Sequence, residues 1–367
     1  MNKQFSVYIH IPFCEQKCLY CDFASFVCGE QVKEKYFNAL VNEIEKSHYS
    51  GKVKTIYFGG GTPSSVDEKY IKMVLDAIKK KFEIAKYAEV TIECNPNSVR
   101  LEKLSFYKKI GINRISFGVQ SLQNKTLKKI GRLHDKRQAL EAIKLAKEAG
   151  FKNISADLMI GLPEQTRGQL LSDARELITL GINHISTYML QLEGEAPITK
   201  MVERGEIVVP NDDRCVELYE NLTKFLSENG FERYEISNFA KDKRYSKHNL
   251  AYWQRKEYLG FGLSAHSFVN GKRFANSKKM QDYLNYKNIV TEKLSKEDEI
   301  TEIIMLGLRC KFGFSLKGLK HFGYDITKNE AYEQFLQKNI LIKHGDLVKL
   351  NEKYYGVSNS VICELLE

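Results

Sequence analysis

Proline is scarce in this sequence, six in 367 residues, and no stretch is dominated by proline, serine or any other single residue type. That excludes a low-complexity chain and a long flexible linker between separate units. No run reaches the roughly 18 apolar residues that a membrane-crossing helix needs, and the N-terminus lacks the basic flank, apolar core and cleavage site of a secretory signal. The expectation is a cytoplasmic protein with no integral membrane span. Eight cysteines scattered over so long a chain do not make a secreted disulfide framework, and Cys28, Cys94, Cys215, Cys310 and Cys363 read as buried, inert thiols. Charge excludes little: the net +10 comes from lysines and arginines in helical stretches such as 77–86 and 125–137, which read as solvated faces.

What the chain has in abundance is strand followed by helix. Apolar, β-branched runs at 5–11, 53–58, 88–93, 114–119, 153–160 and 184–190 alternate with amphipathic helical patterns at 31–48, 67–82, 101–110, 125–130, 136–149 and 168–180. Such alternation builds a parallel sheet, either closed like a barrel or flat and doubly wound, and in both cases functional residues belong at the C-terminal strand ends. A second region begins near residue 193, with helices at 213–228, 280–290 and 299–309 and an aromatic-rich stretch at 234–274. The tail suggests a hairpin of 346–350 with 354–358 and a winged-helix-like lobe. That lobe lacks a dense basic recognition helix, so a packing or docking role is expected and nucleic acid is not.

Three of the cysteines form a local cluster. Cys14, Cys18 and Cys21 stand at C-x3-C-x2-C spacing directly after the first strand, in YIHIPFCEQKCLYCDF. Three soft thiolates so close suit three irons of a cubane cluster and leave the fourth iron open to an exchangeable ligand. A redox dithiol needs no third thiol, and a zinc ribbon needs a second C-x2-C that does not follow.

Other candidates sit where strands end. Gly59-Gly60-Gly61-Thr62-Pro63 lets backbone amides approach a ligand closely, and without the Gly-Lys-Ser/Thr of a P-loop it is not a nucleotide phosphate site. Glu93 in TIECNP suits ribose hydroxyls or a simple capping role. Gln120 in SFGVQS, Arg132 in GRLHD and Asp157 in SADLMIGLP are polar residues in or beside apolar runs. His248 in HNLAYW offers an imidazole beside aromatic rings, which suits an axial ligand to haem iron or a satisfied loop histidine among core aromatics. Arg244, Lys247 and Arg255 lie close enough in sequence to pair with propionates, and His266 in GFGLSAHSF ranks below His248.

YIHIPFC, the C-x3-C-x2-C spacing, CDF, GGGTP and GLPEQT together resemble the radical S-adenosylmethionine superfamily, in its branch of oxygen-independent coproporphyrinogen III oxidases and HemW-type haem chaperones. The resemblance implies an α/β fold, a partial (βα)6 barrel of the radical SAM type with a C-terminal α+β, winged-helix-like lobe. The implied domains are a core barrel over 1–192, a connecting region over 193–296 with the HNxxYW motif, and a C-terminal domain over 297–367. It implies a 4Fe-4S cluster on Cys14, Cys18 and Cys21 whose open iron chelates S-adenosylmethionine, with reductive cleavage to methionine and a 5′-deoxyadenosyl radical. Tyr8 and Glu93 would contact the cluster-bound cofactor, and Tyr20, Gly60, Gly61, Thr62, Gln120, Arg132 and Asp157 would line its pocket. Within the branch, the oxidases carry a fourth cysteine where this chain has Phe23 and a longer leading segment, whereas HNLAYW resembles the chaperones' motif. The expectation is therefore haem bound through His248 and passed to acceptor haem proteins such as respiratory enzymes, with a homodimer among the implied states. The rivals are a coproporphyrinogen III oxidase or other radical enzyme of porphyrin metabolism, and a non-catalytic redox sensor or dimerisation device.

Overall fold

The computed structural model of the chain describes residues 3–192, 194, 196–287 and 289–367; the boundary expected at residue 193 falls outside them. Strand and helix alternate through β1 (Gln4–Ile11), α1 (Glu30–Lys46), β2 (Lys52–Gly60), α2 (Glu68–Lys81), β3 (Glu83–Cys94), α3 (Leu101–Ile110), β4 (Arg114–Gln120), α4 (Asn124–Lys129), α5 (Lys136–Glu148), β5 (Ile154–Ile160), α6 (Arg167–Thr179) and β6 (His184–Met189). In β1, Val7, Ile9 and Ile11 are fully buried in the apolar core shared with Tyr36, Phe37 and Leu40 of α1, while the alternate residues Tyr8 and His10 turn to the other face. This is the pattern of a strand covered on both sides.

Helix ends are set by side chains. Asp67 caps α2, and Asp135 with Gln138 and Thr166 with Gln169 form capping boxes at α5 and α6. The GLPEQT segment is thus a turn-and-cap device: Gln165 accepts from the amide of Gly161 and donates to the carbonyl of Met159 before Thr166 starts the helix.

Strands β1 to β6 lie side by side and parallel, in chain order. The next elements are α7 (Pro197–Glu203), α8 (Asp212–Glu228), β7 (Glu232–Arg233), β8 (Asn238–Ala240), α9 (Lys247–Trp253), β9 (Tyr258–Phe261), β10 (His266–Val269), β11 (Lys272–Ala275), α10 (Met280–Leu284) and β12 (Val290–Lys293). They extend the sheet at both edges: β8 and β7 run antiparallel beyond β6, while β9 pairs parallel with the free side of β1 and leads to an antiparallel β10-β11-β12 edge. Among the described residues, the terminal strands β12 and β7 are not paired with each other, so the barrel is partial.

A second apolar core, with Ile304, Leu308, Phe314, Val348 and Leu365, organises α11 (Lys296–Leu308), β13 (Phe314–Ser315), α12 (Leu316–His321), α13 (Glu330–Gln337), β14 (Leu341–His344), β15 (Leu347–Leu350) and α14 (Ser358–Leu366). This lobe is tied to the barrel by backbone hydrogen bonds from Ile236 to Arg309 and from Lys311 to Tyr234.

Three sequence expectations are corrected. The helix placed over 280–290 stops at Leu284, because Val290 and Thr291 pair with β11 instead. The hairpin joins Leu341–His344 to Leu347–Leu350 across Gly345-Asp346, with Gly345 at φ 59, since LIKH and LVKL alternate symmetrically about that turn; the segment after it forms a 3-10 helix. Of the five thiols expected to be buried, Cys94 and Cys310 are, Cys28 and Cys215 are half-buried, and Cys363 is exposed on the last helix.

At Gly260 in β9, an added Cβ would lie 2.1 Å from the carbonyl oxygen of His266. Gly260→Ala should therefore push β10 off β9 and destabilise the protein by about 1–3 kcal/mol in urea unfolding; unchanged stability would show that this edge is not packed as described.

Candidate functional site

Just beyond β1, the chain forms the cysteine loop. Its start is fixed by hydrogen bonds from Cys14 N to Phe26 O and from Phe26 N to Pro12 O, and its middle by one from Leu19 N to Ile130 O. His10 anchors it from beneath: Nε2 donates to the Ala24 carbonyl at 2.9 Å, leaving Nδ1 to accept from the Tyr8 hydroxyl at 3.1 Å. Burial pushes the His10 imidazole toward its neutral form, consistent with that pairing.

The three thiols each meet a neighbour from a different element. Thr62 Oγ1 donates to Cys14 Sγ at 3.6 Å, Arg132 Nη1 to Cys18 Sγ at 3.6 Å, and Cys21 Sγ lies 3.9 Å from Ser25 Oγ. Among the described residues, no three His, Cys, Asp or Glu side chains converge on one metal-ion position. A mononuclear zinc site requires such convergence, whereas in an iron-sulfur cluster each thiolate takes its own iron. The donor set fits the cluster.

The glycine turn is shaped to the loop. Gly60 has φ 116, and a Cβ there would come within 2.8 Å of the His10 ring; a Cβ on Gly61 would stand 2.9 Å from Cys14 Sγ and 2.8 Å from the Phe13 carbonyl oxygen. Only glycine admits this approach of backbone to thiol. Thr62 is buried, its amide donating to Phe13 O and its hydroxyl accepting from Asn95 Nδ2.

On the inner face of the barrel, the partly accessible positions are those that look into the central space. Tyr8, Tyr57, Glu93, Gly118, Gln120 and Asp157 stand out in this way on otherwise buried strands. Glu93 accepts from the Tyr57 hydroxyl at 2.7 Å and the Gly60 amide at 3.3 Å. Burial raises its carboxyl to about 7, opposed by the Tyr57 hydrogen bond and reinforced by Asp157. Asp157, bonded to Ser116, is raised by burial to about 6. Two carboxyls poised near neutrality can accept from hydroxyls or pair with an ammonium group. Opposite in charge is Arg132, whose Nη2 is held by Asn95 Oδ1 and Gly118 O and whose Nη1 also reaches the Tyr20 hydroxyl at 3.5 Å. Its Nε is buried with no protein partner, an orphan donor that suits a ligand carboxylate. Gln120 has φ 64, a left-handed conformation that is strained for a side-chain-bearing residue and is held here at a strand end.

All of these groups except Tyr8 line one cavity of about 1680 Å³, together with Cys14, Cys18 and Cys21. Its far side is formed by α8, the end of β6 and the first turn of α14. Tyr8 stacks on Tyr57 from below, at 6.2 Å between ring centroids. Pockets for a single small ligand span about 300–1,000 Å³, so this chamber exceeds one cofactor.

His248 lies elsewhere. It is 1% exposed in α9, which closes the opposite, N-terminal mouth of the barrel, and it does not line the cavity, although Ser246 and Asn249 do. Its Nδ1 bonds Thr55 Oγ1 at 2.7 Å, its Nε2 the Tyr252 hydroxyl at 2.9 Å, and its amide donates to Glu89. Tyr57 stacks on its ring at 4.9 Å. Burial alone lowers the imidazole to about 3. Arg255 is occupied by Glu299 and Glu302 of α11. His266 is exposed at the start of β10.

His10, Tyr57 and Asn95 are the contributors that motif reading missed. His10 and Tyr57 follow from period two, being inward-facing like Tyr8 and Gly59, and Asn95 follows Glu93 by two in TIECNP.

Comparison with known proteins places this geometry. Residues 8–177 match the profile of the radical SAM superfamily. The chain is similar to the heme chaperone HemW of Bacillus subtilis, 38% identical over 325 residues covering 85% of each chain, and to that of Lactococcus lactis, 33% identical over 373 residues covering 100% of this chain and 98% of the relative. Its fold is that of the solved Escherichia coli coproporphyrinogen III oxidase HemN, with TM-score 0.85 over 99% of this chain and 90% of the other at 21% identity.

Two outcomes follow from the geometry. Gly61→Ala should keep the fold, by far-UV circular dichroism, yet take up markedly less iron and sulfide on anaerobic reconstitution; normal uptake would mean that the turn does not shape the thiol loop. For His248, the unfolded chain gains a proton below pH 6.5 that the folded chain refuses until about pH 3. Stability should thus fall as pH drops through that window, by up to about 1.4 kcal/mol per pH unit for this group. In urea unfolding, His248→Gln should show a shallower acid slope than the parent.

Proposed function

Because the chain belongs to the radical SAM superfamily and, within it, to the family of heme chaperones HemW, we propose that it binds haem and delivers it to haem proteins, with a 4Fe-4S cluster and S-adenosylmethionine as its cofactors. The observation that carries this is the correspondence with chaperone relatives along essentially the whole chain. In our reading Cys14, Cys18 and Cys21 hold three irons, and the fourth is left to S-adenosylmethionine. When bound, the reduced cluster supplies an electron to the sulfonium of that cofactor, the chemistry common to the superfamily.

The protein's own groups would divide the work of holding the cofactor. The turn at Gly60, Gly61 and Thr62 presents backbone to the methionyl end. Arg132, with its orphan Nε, suits the carboxylate. Glu93 and Asp157, both raised by burial, suit the hydroxyl-bearing end, with Gln120 and Tyr20 at the walls and Tyr8 beneath. Arg132 also donates to the Cys18 sulfur, and a cation there favours added negative charge, so it would steady a reduced cluster.

Haem ligation by His248 requires one of its ring bonds, to Thr55 or to Tyr252, to open, since both nitrogens are engaged. The acceptors are taken to be haem proteins of the respiratory class, the compartment the cytoplasm, and the working form a homodimer. Phe23 and Val27, 65% and 60% exposed beside the thiol loop, support coverage of that loop by a second copy. Among the described residues, no helix is long and apolar enough to cross a membrane. The oxidase alternative rests on likeness of fold alone.

Anaerobic titration with haem, followed by absorbance, checks the assignment: stoichiometric binding by the parent and at least about tenfold weaker binding, about 1.4 kcal/mol, by His248→Ala. Equal affinity in the variant would remove His248 from the haem site, and decarboxylation of coproporphyrinogen under reducing conditions would restore the oxidase.

A further inference from the structure

A second cavity of about 550 Å³ opens at the N-terminal mouth of the barrel, between the starts of β1, β2 and β3 and the outer side of α9. It is lined by five lysines, Lys52, Lys54, Lys86, Lys247 and Lys256, and by no carboxylate. Lys52 is paired with Glu83 and Lys247 lies in the field of the buried Glu89 carboxylate, whereas Lys54, Lys86 and Lys256 make no ion pair among the described residues. Three ammonium groups without an acidic partner around one hollow repel one another and favour an anion there. Between them the wall mixes the polar Gln4, Ser6, Thr55 and Gln254 with the apolar Phe5, Ala85 and Ala251 and with Tyr87, a residue 79% exposed whose ring has Lys86 Nζ at 5.4 Å from its centroid. A pocket of this size, with an exposed aromatic ring and a cationic rim, fits a flat apolar ligand that carries carboxylates at its edge.

Resting on the haem-chaperone reading above, we propose that this lysine-lined pocket is where haem docks, its propionates toward Lys54, Lys86, Lys247 and Lys256, at the end of the barrel away from the cysteine loop. Thr55 connects the pocket to His248. Thr55 is part of the pocket wall and its hydroxyl bonds the Nδ1 of His248, so the imidazole lies one residue behind the ligand. Lys247 and Ala251 of the same helix form the wall on either side of that contact. From Thr55 to Gly60 is five residues of strand, about 16 Å, which separates docked haem from the thiol loop. Haem would then be carried without entering the cofactor chamber.

The test is titration of the full chain with ferric haem, comparing the parent with the double variant Lys54→Glu/Lys86→Glu, both exposed positions. The expected result is at least tenfold weaker haem binding by the variant, with iron-sulfur content and S-adenosylmethionine binding unchanged. The dimethyl ester of haem, which has lost its carboxylates, should bind the parent as weakly as haem binds the variant. Equal haem affinity in parent and variant would overturn the pocket while leaving the chaperone reading intact, as would an ester that binds the parent as tightly as the diacid. A parent that takes up no haem would overturn both.

Discussion

Polar side chains inside a parallel barrel must find hydrogen-bond partners, and meeting that requirement shapes most of this molecule. Strands β1 to β5 send Tyr8, His10, Thr55, Tyr57, Glu89, Glu93, Ser116, Ser155 and Asp157 inward, a lining too polar to collapse on itself. Toward the N-terminal mouth the partners come from the connecting region. α9 brings His248 to Thr55 and its own amide to Glu89, while Tyr234 reaches both the His184 ring and the Ser246 amide. Toward the C-terminal mouth the lining is left open, with the carboxyls of Glu93 and Asp157 raised by burial to about 7 and about 6 and Arg132 with an unpartnered Nε. The barrel is thus closed below by protein and open above to a ligand.

Tyr57 links the two ends. Its hydroxyl donates to Glu93 in the open chamber and its ring stacks on His248 in the plug. A change in the charge of Glu93 is therefore felt by a group that touches the His248 ring directly. The ion pairs of Arg255 with Glu299 and Glu302 fasten the segment after α9 to the C-terminal lobe, so the plug, the barrel and the lobe share one mechanical frame.

Much of this was legible from the residues. The six strand-helix units, the thiol loop after β1 and the glycine turn after β2 follow from local pattern, because strand period, helix caps and cysteine spacing are short-range properties. The connecting region was less legible. Strands β7 to β12 are two to four residues long, and their stability comes from pairing with β6, with β1 and with each other rather than from propensity. For the same reason, the end of the helix expected over 280–290 gave way to a strand once β11 offered it an edge.

By itself, the sequence determined the class of fold, the family and the spacing of the thiol loop, since each is written in residue type and order within a few residues. Only the tertiary structure decided what His248 does in the resting protein. HNLAYW looks the same whether its imidazole faces a ligand or a threonine, and the choice depends on Thr55, 193 residues earlier. The lysine pocket is likewise invisible in one dimension, because Lys54, Lys86 and Lys247 become neighbours only when three parallel strand starts and one helix meet at the same mouth of the barrel.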